Sequence, residues 1–326
     1  MHRRSTPRAM WRCLALTPLV TACISLDLPG GVPLPLVETT VFGESGPKIL
    51  MLQIDGVLND ESDTTWYGAR RESPVARIRE ELDRARRDQA ITALLVRIDT
   101  PGGTVTASDL LYQEILRFKQ ERGLPVIAQL MGIATSGGYY VAMSADTVVA
   151  HPTTVTGSIG VLFAGVNLSG LMAKYGVADQ TLTSGPYKDA GSPLRPMRPE
   201  ERAQIQSVID DMYQRFLEVV RQGRPQLDAA TVERLADGRI YSAPQALANG
   251  LVDKVGDVED AVSIARTRAG LSEARVVTYH RPREFRKNLF TAQAPVETPQ
   301  VEWALPRFQL PQPAFLYLWA PSGLLD

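Results

Sequence analysis

The sequence predicts a layered α/β domain, on two observations. Strand-like and helix-like segments alternate along most of the chain on short connections, the pattern of stacked sheet and helix layers. Hydrophobic residues make up 44% of the 326 and charged residues 22%, enough apolar side chain for a sizeable core. The elements run as follows. Ile49–Ile54 is a β-like run closed by Asp55-Gly56, and residues 24–47 before it are rich in Pro, Gly and Thr and read as a tether. Ser73-Pro74 starts a helix to about Asp88, with Val75, Ile78, Leu82 and Ala85 at helical spacing. Residues 91–98 form a buried strand, and Ser108 is expected to cap a second helix carrying Leu111, Ile115 and Phe118. Strands follow at 125–130 and 148–150. The longest amphipathic helix runs from Pro199 to about Gly223. Helices at 228–236, 243–249 and 257–269 and a strand at 275–279 complete the domain. From Arg281 the periodicity fades, and residues 295–326 hold six prolines, with Phe315, Tyr317 and Trp319 among the aromatics. That tail is not a domain; its apolar residues dock on a neighbour, on a membrane, or nowhere.

Charge and composition exclude several classes. Lys+Arg 35 against Asp+Glu 36 leaves −1, with no basic excess to release counterions from a nucleic acid. His2, His151 and His280 are too few and too scattered for a metal cage, and there are only two cysteines, so neither a zinc site nor any cofactor is expected.

The N-terminus reads as an address. Arg3, Arg4, Arg8 and Arg12 precede an apolar stretch from Cys13 to Ala22, the layout of an export signal. The stretch is shorter than the roughly 20 residues that span a bilayer, and it contains Pro18. It ends Val20-Thr21-Ala22-Cys23, which resembles a bacterial lipobox, so residues 1–22 are expected to be removed and Cys23 lipidated. An uncleaved anchor or a plain signal peptide is the other reading. Several acyl chains on one cysteine would hold a globular domain to a membrane, facing the periplasm or the cell exterior.

Three glycine-bearing segments stand where chemistry would. RIDTPGG (97–103) is a tight βα turn whose N–H groups can point outward. ATSGGYY (134–140) places Ser136 at a helix start, where it is either a nucleophile beside the Gly137 N–H or a helix cap. TGSIGV (156–161) is a third small-residue turn. A nucleophilic serine needs a base. His151 beside Pro152 reads better as a loop residue. Lys188, in SGPYKDAGSP (184–193), is the other candidate, either a solvated lysine or a buried base. An ordinary lysine titrates near 10.4, so work at neutral pH needs a fall of roughly 3 units, about 4 kcal/mol, which burial can supply.

Taken in order, RIDTPGG, ATSGGYYVAMSAD, HPTTVTGSIGV, SGPYKDAGSP and LADGRIYSAPQALANGLVD resemble the signal peptide peptidase A family of Ser/Lys peptidases, over about residues 48–270. The resemblance implies a Clp protease/crotonase-like fold of stacked β-β-α units. Together with the readings of the two ends, it divides the chain into a signal peptide (1–22), a tether (23–47), a single catalytic domain with C-terminal helices (48–280) and the proline-rich tail (281–326). It also implies Ser136 as nucleophile, Lys188 as general base, Gly103 and Gly137 as oxyanion-hole donors, and Ser158 as the residue that orients the lysine. Thr100 and Thr135 depart from the family's more usual Ser and Ala. The activity implied is hydrolysis of apolar peptides such as signal-peptide remnants, in a homo-oligomer whose sites are shared between subunits. An inactive lipoprotein scaffold of the same fold, or an acyl-CoA enzyme of the crotonase kind, are the competing readings.

Overall fold

A computed structural model of the chain describes residues 34–60, 63–64, 70–282, 288–290 and 314–319, and from Pro35 these belong to one compact unit. The signal segment and Cys23 lie outside the described residues. The first half holds β1 (Val37–Phe42), β2 (Lys48–Asp55), the two-residue β3 (Asp63–Thr64) and β4 (Arg70–Arg71), α1 (Pro74–Arg87), β5 (Ile91–Thr100), β6 (Gly102–Thr104), α2 (Val105–Arg122), β7 (Val126–Thr135) and α3 (Gly137–Ala142). Then come β8 (Thr147–Ala150), β9 (Val155–Gly157), β10 (Leu162–Ala164), α4 (Ser169–Lys174), α5 (Pro199–Gly223), α6 (Ala229–Leu235), β11 (Ile240–Ser242) and α7 (Ala243–Ala248). β12 (Lys254–Val255), α8 (Val258–Arg268), β13 (Arg275–His280) and β14 (Ala314–Leu318) follow.

The main sheet runs β1-β13-β2-β5-β7-β8-β12, with β9 joined to β7 and β11 to β9, and is parallel except for β1 and β11. A parallel sheet is covered on both faces, which is why its strands read as continuous apolar runs. Side chains alternate between the two layers. Leu50, Leu52 and Ile54 meet Ile78 and Leu82 of α1, Leu111, Ile115 and Phe118 of α2, and Phe216 of α5. Ile49, Met51, Ala93, Leu95 and Ile127 meet Val258, Ala261, Val262 and Ala265 of α8. The mixed α/β class expected from the sequence is the one observed.

Five of the expected assignments differ. β5 and β7 run on to Thr100 and Thr135, because their ends pair with each other and with β9. The cap of α2 is Thr104, whose hydroxyl accepts from the Ala107 N–H at 3.2 Å; Ser108 sits inside the first turn and donates to the Thr104 carbonyl at 2.9 Å. Part of the stretch read as a tether is β1, paired antiparallel with β13 and fastened by Thr39 Oγ1 to His280 Nε2 at 2.8 Å and Glu38 to Lys48 at 2.8 Å. Part of the stretch read as a proline-rich tail is β14.

A chain that begins at Leu34 keeps Leu36, which packs on the core and whose carbonyl accepts from Arg84, and serves as the reference. Deleting on through Gly46 removes the edge strand and buried Val41, so stability should fall by at least about 2 kcal/mol. Urea denaturation of the two truncations checks this.

Candidate active site

β5, β7 and β9 end side by side, with Thr100 opposite Ala134 and Thr135 opposite Gly157. The residue after each of the last two strands is a serine with positive φ, Ser136 at 51° and Ser158 at 49°. Left-handed backbone outside glycine costs on the order of 1–3 kcal/mol and persists only where the surroundings impose it. Here the surroundings are backbone hydrogen bonds: the Ser136 N–H donates to the Gly157 carbonyl at 2.7 Å, and the Ser158 N–H to the Arg239 carbonyl at 2.8 Å. Ser136 is 1% exposed and precedes α3, yet its side chain caps nothing. The helix-cap reading of Ser136 therefore has no bond behind it.

The Pro101-Gly102-Gly103 turn approaches from β5. Gly102 has φ 104°, and the Thr100 hydroxyl accepts its N–H at 3.0 Å while donating to the Gly56 carbonyl. Thr135 Oγ1 donates to the Pro101 carbonyl at 3.2 Å, tying the turn to the residue before Ser136. Leu58 closes the other side, with its N–H on the Gly102 carbonyl and its carbonyl taking the Thr104 N–H, both at 2.8 Å. No Cβ fits at either glycine. At Gly103 it would strike the Leu58 backbone; at Gly102 it would strike the Tyr317 carbonyl and lie 2.8 Å from the Gly137 nitrogen. Gly102 and Gly137 thus meet at one point, and Ser136 is bonded to the residue before Ser158.

β14 lies over that point. It pairs antiparallel with β6 on one edge (Tyr317 opposite Gly103) and with β10 on the other (Leu316 opposite Leu162), making a separate three-stranded sheet. The Tyr317 side chain is fully buried against Tyr140 and Phe216, with ring centroids 5.2 and 4.6 Å away, and its hydroxyl donates to the Met212 carbonyl at 2.7 Å. Burial pushes the Tyr317 and Tyr140 phenols well above the ordinary tyrosine range, so both stay neutral donors.

Lys188 is exposed, on the segment between α4 and α5, and among the described residues no hydrogen bond joins it to Ser136. Its neighbour Asp189 is gripped by Arg195 through two bonds of 2.7 Å, and Arg195 reaches on to the buried carboxylate of Glu201 at 2.9 and 2.5 Å. Hydrogen bonds from Arg195 and Arg198 hold the Glu201 carboxyl far below the usual carboxylate range. His151 is spent locally, its Nδ1 2.8 Å from the Thr153 hydroxyl. Among the described residues no group of three or more His, Cys, Asp or Glu side chains is placed to hold a metal ion.

Residues 118–272 match the model of peptidase family S49. The chain is 36% identical over 242 residues to a putative signal peptide peptidase SppA of Enterococcus faecium, covering 74% of this chain and 70% of that one. It belongs to the signal peptide peptidase A family. Other relatives include a putative protease of Synechocystis, 45% identical over 56% of this chain and 65% of its own length. Protease 4 of Haemophilus influenzae is 33% identical over 67% of this chain but only 34% of its own length. The chain is accordingly a serine peptidase with a mixed α/β, Clp protease/crotonase-like fold. No described helix of this peptidase is long and apolar enough to cross a membrane.

Two residues that the sequence marks only as departures from the family pattern, Thr100 and Thr135, turn out to fasten the peptidase's Pro-Gly-Gly turn. Their signal was a hydroxyl side chain at each of two adjacent strand ends. Tyr317 carries no sequence signal beyond being an aromatic residue in a proline-rich stretch. Thr100→Val should leave the buried Gly102 N–H unpaired and cost about 1–3 kcal/mol. Comparison with Thr100→Ser in urea denaturation checks it, since Ser keeps the hydroxyl and should recover most of the loss.

Proposed function

We propose that this serine peptidase is a membrane-tethered endopeptidase that hydrolyses apolar peptides, such as signal-peptide remnants, with Ser136 as nucleophile and Lys188 as general base. The observation that carries the reading is the backbone at Ser136. It is a buried serine held in a strained conformation, uncapped, beside two glycine amides and a second strained serine. A structural serine has no need of such an arrangement; a nucleophile has.

In the first step the neutral Lys188 amine takes the Ser136 proton as Oγ bonds to the substrate's carbonyl carbon. The carbonyl electron pair moves onto its oxygen, which the Gly103 and Gly137 N–H groups hold. Collapse of that intermediate breaks the C–N bond, and the leaving amine takes the proton from the Lys188 ammonium. Water then attacks the acyl-enzyme with the same lysine as base, releasing the acid and restoring Ser136. The Ser158 hydroxyl orients the amine.

The exposure of Lys188 supports a site shared between copies of the chain. An amine in open water is protonated and useless as a base, whereas one covered by a neighbouring subunit loses hydration and releases its proton more readily. Ser136→Ala and Lys188→Met should each lower peptide hydrolysis by at least about 10³-fold. Mixing the two inactive proteins under conditions of subunit exchange should restore hydrolysis. A dead mixture with demonstrated exchange would mean each site is built within one chain, and a dead His151→Ala with an active Lys188→Met would mean the wrong base.

Tethering is carried by Cys23 at the end of Val20-Thr21-Ala22-Cys23. Cys23→Ser should move the protein from the membrane to the soluble exported fraction, or leave the precursor uncut. Fractionation with N-terminal sequencing reads both; attachment and processing unchanged from wild type would end the lipoprotein reading.

A further inference from the structure

We propose that Leu58 is a positioning residue for the hydrolysis: its backbone N–H fixes the peptide plane that carries the Gly103 donor. The role rests on the reading of Ser136 and Gly103 given above, and it adds a residue that none of the sequence motifs contains.

An oxyanion donor is useful only if its N–H points at the oxygen it must hold. In a trans peptide the N–H and the preceding C=O point opposite ways, so whatever holds the Gly102 carbonyl also aims the Gly103 N–H. Both residues flanking this peptide are glycines. With no Cβ on either side the plane turns at little steric cost, and a turned plane presents the Gly102 carbonyl oxygen in place of the N–H. A bond from behind has to prevent that. The Gly137 donor has its bond from a helix: the Ser136 carbonyl, in the same peptide as the Gly137 N–H, accepts from the Tyr140 N–H at 2.9 Å. Gly102 and Gly103 precede the cap of α2, and no helix bond reaches their shared peptide.

Leu58 supplies the missing bond. Its N–H donates to the Gly102 carbonyl at 2.8 Å and its carbonyl takes the Thr104 N–H at 2.8 Å, a single parallel bridge centred on Gly103. The Thr100 hydroxyl also lies 3.3 Å from the Gly102 carbonyl, but its one proton goes to the closer Gly56 carbonyl. The bridge draws the Gly102 carbonyl toward residue 58 and so turns the Gly103 N–H away from it. Leu58 holds its place because both ends of its segment are fastened. At one end the Gly56 N–H donates to the Asp99 carbonyl at 3.2 Å, and the Gly56 carbonyl accepts from Thr100. At the other, the Ser73 hydroxyl that begins α1 donates to the Asn59 carbonyl at 3.3 Å. Between them the Leu58 side chain is fully buried in the main core, while its neighbour Val57 is exposed. A leucine just past the end of β2 thus ties the donor to the core that fixes Ser136.

Amide-to-ester replacement in the full chain tests this, because it removes one N–H and keeps every side chain. Glycolic acid in place of Gly103 removes the donor itself and should lower kcat by about 10²- to 10³-fold. Leucic acid in place of Leu58 should lower kcat by at least about 10-fold with KM within about 3-fold of wild type, because substrate still binds but meets a plane free to turn. The α-hydroxy acid of threonine at 104 breaks a bond of the same length between the same two segments without freeing that plane, and should change kcat by less than about 3-fold. Urea denaturation should find the Leu58 and Thr104 esters equally destabilised. A peptidyl trifluoromethyl ketone, whose adduct with Ser136 puts an oxygen anion where the substrate's would be, should weaken in step with kcat/KM. Leu58→Ala, which keeps the N–H but loosens its anchorage, should lower kcat at least about 5-fold, and Leu58→Ile should restore it. Equal kcat in the Leu58 and Thr104 esters, a loss in the Leu58 ester carried by KM alone, or wild-type kcat in Leu58→Ala overturns the proposal. Unchanged kcat in the Gly103 ester would instead overturn the reading of Gly103 on which it rests.

Discussion

The hydrogen bond from the Ser136 N–H to the Gly157 carbonyl is the contact on which the rest of the site depends. It closes the parallel pairing of β7 with β9 one residue past the last ladder position, where the serine that follows each strand has positive φ. Neither residue would hold that conformation alone, since each costs on the order of 1–3 kcal/mol against an extended alternative. The energy comes from behind. Strands buried on both faces cannot shift by one residue without exchanging their two apolar layers, so their ends are as fixed as their middles. The Thr100 and Thr135 hydroxyls extend this fixity to the Pro-Gly-Gly turn.

The molecule is divided between a rigid half and an exposed one. Everything proposed to meet the substrate carbonyl is at the ends of core strands and is buried. The proposed base is on an irregular segment between α4 and α5, much of it exposed in the single chain. That segment is nonetheless anchored at its far end, where Arg195 links Asp189 to Glu201 in the first turn of α5. An exposed lysine on an anchored segment is suited to being buried by something else, and in the proposed shared site a second copy of the chain would supply that cover.

The order and type of elements were legible in the chain because period and punctuation spoke together. Ser73-Pro74 opens α1 and Pro199 opens α5 where the sequence places them. β2, β5 and β7 are continuous apolar runs because both of their faces are covered. The site motifs were legible as glycines and small residues at strand ends. Boundaries were less so: β7 extends five residues past its apolar run because β5 and β9 pair with it, which is a property of neighbours and not of β7's own residues.

What the sequence by itself determined is therefore the class of fold, the family, and the list of residues that stand at the ends of strands. What only the tertiary structure decided is which of those ends meet, and what covers them. β1 and β14 show the physical reason. VETTVF and AFLYL are short, lie in proline-bearing stretches and have no amphipathic period long enough to declare themselves. Each becomes a strand only because an unpaired edge, β13 for one and the gap between β6 and β10 for the other, offers its backbone groups partners that water would otherwise supply.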